Sequence, residues 1–378
     1  MSLYFHIPFC KQACSYCDFH FSTSLNQKPQ MIEAMCREIA LQKDYLTNKH
    51  LDTIYFGGGT PSLLEIKDLE KIFDTISQYF SVDKNAEITL EANPDDLTAE
   101  KLAALKTIGI NRLSIGIQSF HEPHLRLMNR THTGVEAANC VNLARKFGFE
   151  SLSIDLIYGI PTEYSKNGEN GNHDIWENDI AMALQFDVPH ISSYGLTVEP
   201  KTALHKWTQT QKFIPATDDF AAQEYEMLME KLTQKGYEHY EISNFAKPNL
   251  YSKHNSNYWK KGHYLGIGAS AHSYNGITRQ HNIANNSLYI KALANNELAF
   301  EKEILTLENH INEYLLVNLR TMWGCDMGFL ANTYNYHFPE KILQSYKQQG
   351  FLEVIANKMI LTQKGKLLAD KISSDFFV

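Results

Sequence analysis

Residues 5–19 read FHIPFCKQACSYCDF and hold three of the six cysteines of the chain. Cys10, Cys14 and Cys17 stand as C-x3-C-x2-C, and an odd number of thiols cannot be closed into pairs. Lys11, Gln12 and Ser15 lie between them, so they do not read as core cysteines packed among apolar neighbours. Clustered thiols in a reducing compartment read as metal ligands or redox groups. Two ligand readings are open at this point. A structural zinc site needs a fourth ligand, for which His6 and His20 are the nearby candidates. A [4Fe-4S] cube held by three thiolates keeps one iron without a protein ligand, free to take a substrate or cofactor.

Working outward, composition narrows the class. The chain has 378 residues, enough for a large domain and a smaller one. Apolar residues make up 43% and the net charge is -8, so there is material for a core but no basic surface for nucleic acid. No apolar run approaches the roughly 18 residues of a membrane span. The start, MSLYFHIPF, lacks the basic and long apolar regions of a signal peptide, so a cytoplasmic protein is expected. Six cysteines in this length make no disulfide framework.

Strand-like runs alternate with amphipathic stretches from the first residues onward. LYFHI (3–7), DTIYFGGG (52–59), AEITLEANP (86–94), RLSIGIQS (112–119), SLSIDLIYGIP (151–161) and HISSYGLTV (190–198) read as strands. Helices are expected near 28–47, 65–80, 134–147, 174–186 and 218–235, with another after the third strand that Thr98 could cap. The strands read apolar on both faces, as buried parallel strands do. Six strand-helix units in series predict an α/β fold, a partial (β/α)6 TIM-type barrel. TEYSKNGENGNHD (162–174) reads as a mobile surface loop. From about Glu303 the rhythm changes to three helices, a hairpin around Asn357 and a last helix, a winged-helix-like order. Its third helix carries Glu340, Lys341 and Lys347, too little charge to grip a nucleic-acid backbone, so it reads as a packing module. The expected division is a barrel over 1–240, a barrel-closing segment over 241–300 and the small module over 301–378.

Chemistry in such barrels collects at the C-terminal ends of the strands. The cysteine loop follows the first strand. The second ends in GGGTPS, where Gly57, Gly58 and Gly59 permit close backbone approach and no lysine follows as in a phosphate loop. The third places Glu91 at the mouth, the fourth Gln118 with Arg130 beyond it, and the fifth carries Asp155 inside an apolar run. A carboxylate there is costly to bury unless it is paired or hydrogen-bonded. Each of these alone reads as a turn or a structural polar residue. Together, on successive strands, they read as one site.

The cysteine spacing, with Tyr16 before the last thiol, resembles the radical S-adenosylmethionine (SAM) superfamily. The resemblance implies a [4Fe-4S] cluster on Cys10, Cys14 and Cys17, with SAM chelating the open iron and cleaved by an electron to methionine and a 5′-deoxyadenosyl radical. YFHIPFCKQACSYCDF, GGGTPS, EANPDD, RLSIGIQSF, IDLIYGIP and HNSNYW together resemble the oxygen-independent coproporphyrinogen III oxidase-like branch over nearly the whole chain. That branch implies SAM contacts at Tyr4, Tyr16, Gly58, Gly59, Thr60, Glu91, Gln118, Arg130 and Asp155.

Two departures point within the branch. True oxidases carry a further cysteine two positions after the third, where this chain has Phe19, and an arm before the first strand. Both features, and the motif H-N-x-x-Y-W at His254–Trp259, are similar to the HemW-type heme chaperones. The resemblance implies heme as a further cofactor with His254 as an axial ligand, heme-acceptor proteins as partners, a membrane-associated acceptor among them, and an electron donor such as a flavodoxin or ferredoxin. The rival reading is the oxidase itself. Cys36, Cys140 and Cys325 read as buried thiols. GIGASAHS (266–273) is expected as a far wall of the pocket or a close-packed segment, and His6 as a residue that orients the cysteine loop or sits in a buried strand.

Overall fold

The computed structural model describes residues 1–161 and 171–378. The polar loop expected over 162–174 therefore lies, for residues 162–170, outside the described residues.

Six strands lie side by side in chain order, each parallel to the next: β1 (Ser2–Ile7), β2 (His50–Gly58), β3 (Ser81–Ala92), β4 (Arg112–Gln118), β5 (Ser151–Tyr158) and β6 (His190–Gly195). Helices cover one face, because alternate residues of each strand are large and apolar. Leu3, Phe5, Ile7, Ile54, Phe56, Leu90, Leu113, Ile115, Leu152, Ile154 and Leu156 are all fully buried in one continuous core. The period of two turns the residues between them to the opposite, inner face. There the expectation of apolar strands on both faces fails. The inner face carries Tyr4, His6, Tyr55, Glu91, Arg112, Ser114, Ser153, Asp155, His190 and Ser192, and these residues pair with one another and border cavities.

The wall is extended at both ends by residues that carried no strand expectation. β7 (Glu238–Glu241) and β8 (Asn244–Ala246) form a hairpin on β6. β9 (Tyr264–Ile267) runs parallel to β1, followed by β10 (His272–Tyr274), β11 (Thr278–Asn282) and β12 (Phe300–Ile304). β12 and β7 end the sheet without meeting, so the barrel is partial. The segment 241–300 thus supplies strands to both flanks. Glu38, 1% exposed on the helix Lys28–Leu41, fastens the second flank. It accepts hydrogen bonds from Gly268 N at 2.9 Å, Asn282 Nδ2 at 2.7 Å, Gln42 Nε2 and the Tyr289 hydroxyl. That helix stops at Leu41 instead of 47, where Gln42–Asn48 turn instead through Asp44, Thr47 and Asn48, residues that favour turns over helix interiors. The short helix Ala203–Gln209 was not foreseen.

A second apolar core gathers Ile311, Leu315, Leu319, Cys325, Leu330, Leu352, Met359, Ile372 and Phe376. Its elements are the helix Leu307–Leu319, β13 (Cys325–Asp326), the helices Met327–Tyr334 and Glu340–Gln348, and the hairpin β14 (Leu352–Ile355) and β15 (Lys358–Leu361). Ala356 and Asn357 take positive φ of 48° and 66° at the hairpin tip, the geometry a two-residue turn needs to match strand twist. The order helix, strand, helix, helix, hairpin is that of a winged helix.

Candidate active site at the mouth of the barrel

The cysteine loop is tied at its base to the strand ends around it. Cys10 N donates to Ser22 O at 3.0 Å and Ser22 N to Pro8 O at 2.9 Å, which brings the two limbs of the loop together. Thr60 N donates to Phe9 O at 2.7 Å and Gly59 N to Ile7 O at 2.9 Å, fixing the first limb on β2. The tip reaches the turn after β4: Ser15 N bonds Met128 O at 3.1 Å, Ser15 Oγ bonds Leu127 O at 2.8 Å, and Asn129 Nδ2 bonds Ala13 O at 2.7 Å. Lys11 pairs with Asp95 at 2.6 Å and with Asp96, both just after β3.

These ties place the three thiols on the wall of a cavity of about 470 Å³. Tyr16, Gly58, Gly59, Thr60, Glu91, Gln118, Arg130 and Asp155 line the same cavity, so eleven of the thirteen candidate residues meet in one place. The glycines are required by space. A Cβ on Gly59 would stand 2.6 Å from Phe9 O and 2.7 Å from Ile7 O, and one on Gly58, whose φ is +105°, 2.6 Å from the His6 ring. Gln118 also takes a positive φ, 70°, at a break in the β4–β5 register. The next two residues are held down by Asp179, which accepts from Ser119 Oγ at 2.6 Å and Phe120 N at 2.9 Å.

Charge at the mouth is arranged in layers. Arg130 donates through Nη2 to Asn93 Oδ1 at 2.6 Å and Gly116 O at 2.7 Å, and its Nη1 lies 3.4 Å from Cys14 Sγ. Its Nε is buried with no partner in the protein. Glu91 accepts from the Tyr55 hydroxyl at 2.7 Å and Gly58 N at 3.1 Å, and Asp155 from Ser114 Oγ at 3.2 Å. Burial pushes Glu91 up to about 7 and Asp155 up to about 6. Burial also pushes the Cys17 thiol up to about 12, a direction that a bound cation reverses. Among the described residues, no three Cys, His, Asp or Glu side chains gather around one point as ligands of a single ion. A cube, which takes each thiolate on a different iron, does not need them to.

Tyr4 and His254 do not line the cavity. Tyr4 lies deeper on β1, its hydroxyl 3.2 Å from His6 Nδ1 and its ring stacked at 6.1 Å on Tyr55. His254, expected as a heme ligand, is 1% exposed on the helix Lys253–Trp259, inside the other end of the barrel. Its Nδ1 lies 2.7 Å from Thr53 Oγ1 and its Nε2 2.8 Å from the Tyr258 hydroxyl. Its ring stacks on Tyr55 at 4.8 Å, and its backbone N donates to Glu87 Oε1 at 2.9 Å. Both ring nitrogens are engaged, and burial holds the imidazole neutral with a pKa lowered to about 3. As it stands, this is the geometry of a plug residue, with the short helix packed on the early parts of β2 and β3 through Thr53, Tyr55 and Glu87.

Sequence reasoning did not single out Asn93, Tyr55, Arg112 or Ser192, which hold or border the charged residues. Asn93 was within reach, since it sits between Glu91 and the PDD that meets Lys11. Tyr55, Arg112 and Ser192 read as ordinary strand residues, and nothing in their local pattern marks them. His6 Nε2 lies 2.9 Å from His20 O, so it does brace the far limb of the cysteine loop.

The donor set fits the groups the sequence resemblance implies. Three thiols face one cavity, two glycines leave bare backbone beside them, and a buried guanidinium keeps a free N–H. Residues 4–167 match the family model of the radical SAM superfamily. The chain is 35% identical over 382 residues to the heme chaperone HemW of Bacillus subtilis, covering 99% of this chain and 98% of that one. It is 33% identical over 385 residues to the heme chaperone HemW of Lactococcus lactis, covering 100% and 97%. The coproporphyrinogen III oxidase HemN of Escherichia coli, a radical SAM enzyme, superposes with a TM-score of 0.84 over 100% of this chain and 90% of that one. At 22% identity that likeness is one of fold.

Proposed function

The chain belongs to the HemW heme-chaperone family within the radical SAM superfamily, and from that premise we propose that it binds a [4Fe-4S] cluster, SAM and heme and passes heme to acceptor proteins. One observation carries the reading: a three-thiol cavity bordered by bare glycine backbone and two half-buried carboxylates, in a chain aligned end to end with heme chaperones.

Cys10, Cys14 and Cys17 would hold the cluster, which when bound supplies an electron and an iron with an open position. The rest falls to the chain's own side chains. The backbone of Gly58 and Gly59 leaves room for a ligand to lie close. Arg130 has a free Nε for a carboxylate. Glu91 and Asp155 accept from hydroxyl or amino groups. Tyr16, packed against Leu125, Met128 and Ile157, presents its ring at the same wall. Gln118 and Thr60 complete the polar lining. Ligation of heme by His254 would require the Lys253–Trp259 helix to leave Thr53 and Glu87, and a SAM contact by Tyr4 would require the ligand to reach below the cavity wall.

Phe19, 64% exposed on the cavity wall, occupies the position that is cysteine in the oxidases. A chaperone needs reversible docking at an open mouth, whereas a decarboxylase needs two propionates held in turn in near-attack geometry and shielded from water. The division into 1–240, 241–300 and 301–378, a cytoplasmic setting, a flavodoxin or ferredoxin as electron donor and a membrane-associated acceptor belong to the same proposal. Among the described residues no helix is long and apolar enough to cross a membrane.

The test is anaerobic cluster reconstitution, followed by parallel heme titration and a coproporphyrinogen III assay with SAM and a reductant. Heme binding without protoporphyrinogen IX formation is expected. Robust product formation would restore the oxidase reading, and absence of heme binding would remove the chaperone one.

A further inference from the structure

Directly beneath the mouth lies a second, smaller chamber of about 40 Å³ inside the barrel. Glu91, Ser114, Asp155 and Tyr194 border both spaces, so the chamber is the far side of the wall that carries the two carboxylates. Nothing in the sequence resemblance assigns it a role. Its lining is almost wholly polar: Arg112, Ser153, His190, Ser192, Ser252 and Asn255 complete it with Tyr55.

Arg112 is the anomaly. It is 3% exposed on β4, yet among the described residues its side chain makes a single hydrogen bond, from Nη1 to Ser151 Oγ at 3.0 Å. The ion-paired arginines among the described residues are Arg279 and Arg320, and Arg112 is not one of them. A guanidinium has five N–H donors, and a buried charge without partners is costly. Level with Arg112 on β3, Thr89 Oγ1 is buried with no partner in the protein either. The histidine on the chamber cannot accept the burden, since its two nitrogens are held by Ser153 Oγ at 2.7 Å and the Tyr240 hydroxyl at 2.8 Å. Ser192, Ser252, Asn255 and the tyrosines on the chamber are neutral, and the anionic groups that share it with Arg112 are the carboxylates of Asp155 and Glu91. A buried water needs roughly 10–15 Å³ and two to four polar partners. The chamber supplies both more than once.

We propose that the chamber is a built water site, in which ordered waters carry hydrogen bonds from the Arg112 guanidinium to Asp155 and Glu91 and so make Arg112 a positioning residue for the nucleoside pocket above. Arg112 touches no ligand itself. It keeps the two carboxylates aimed at the mouth, where otherwise they would turn inward or take up protons. Arg130 faces Asp155 from the other side and Tyr55 and Tyr194 from the flanks, so Arg112 is the cation on the chamber side. The inference rests on the SAM reading of the mouth for its functional part and on the chamber alone for its structural part.

The test has two arms. In the reconstituted full chain, Arg112→Gln should weaken SAM binding by about tenfold in calorimetry with the cluster spectrum unchanged, whereas in an Asp155→Asn background it should cost clearly less, about threefold, because one of the two carboxylates it orients is gone. Arg112→Lys should recover most of the loss. An equal loss in both backgrounds, or none in either, overturns the positioning role. The second arm is a high-resolution crystal structure of the native, SAM-free protein, which does not depend on the variants folding. Ordered density bridging Arg112 to Asp155 is expected, and a dry or collapsed chamber overturns the water site. If the native protein binds no SAM, the reading of the mouth fails while the density test still stands.

Discussion

The two ends of the barrel are built from the same strands and are finished in opposite ways. At the C-terminal ends the chain leaves a cavity walled by thiols, bare glycines and charged side chains. At the N-terminal ends it inserts the helix Lys253–Trp259, whose His254 fills the interior and satisfies every polar atom it carries. Both ends hold buried histidines, tyrosines and carboxylates, so residue type does not tell them apart. The difference is in what remains unpaired. The mouth keeps a free Arg130 Nε and two carboxylates raised by burial. The plug keeps no free atom on His254, and Glu87 there is spent on the helix N-terminus, accepting from Lys253 N at 3.0 Å and His254 N at 2.9 Å. Ser256 Oγ on the plug helix is also buried without a partner, so the distinction is one of charge: the mouth keeps charged groups free for an ionic ligand, and the plug a neutral hydroxyl.

The comparison breaks first at the cluster. Cys14→Ala should abolish it, because two thiolates cannot hold a cube, and the protein should still fold, since Cys14 lies on the cavity wall and outside the apolar core. Iron and sulfide content after anaerobic reconstitution would check this, and wild-type values in the variant would contradict the assignment. The plug should answer in the reverse sense. His254→Ala leaves a cavity and strands two buried hydroxyls, those of Thr53 and Tyr258, so it should cost about 2–4 kcal/mol of stability. Its iron-sulfur spectrum should be unchanged. Chemical denaturation with that spectrum alongside would check it, and an unaltered midpoint with a changed heme spectrum would make His254 a ligand.

The smallest effect sharpens the comparison by pH. Burial raises Glu91 and Asp155, so the folded protein holds their protons longer than the unfolded chain does. Below about pH 3 both states are protonated and no cost appears. Between about pH 4 and 7 the unfolded chain ionises both groups before the fold does. Full burial would make this worth roughly 3 kcal/mol per group. Both also face the open cavity, so their contribution to the stability of the unloaded protein should fall by less, on the order of 1–2 kcal/mol. Glu91→Gln should flatten that slope, measured by melting temperature across the range. The plug should tilt the other way, because burial keeps His254 neutral with a pKa of about 3 while the unfolded chain protonates it below about 6.5. Between those values its contribution to stability rises with pH, and His254→Ala should remove that rise.

The sequence was enough to read the β/α alternation, the cysteine spacing and the residues at the strand ends, because each is a local property. A period of two sets the face of a strand, a C-x3-C-x2-C loop sets its own donors, and GGG permits close approach wherever it falls. The hairpin around Asn357 and the helix-helix-helix-hairpin order of the small module were read from local pattern in the same way. What only the tertiary structure decided was which polar residues share a space. His254 in HNSNYW has the composition of a ligand motif, but its helix was sent to the closed end, where Thr53 and Tyr258 consume it. Arg112 reads as an ordinary strand residue, but lies across a chamber from Asp155. β9 to β12 carry no strong alternation, and they became strands because β1 offered an unpaired edge and Glu38 a buried anchor. Whether a polar side chain is spent or free depends on partners far away in the chain, and no local pattern records them.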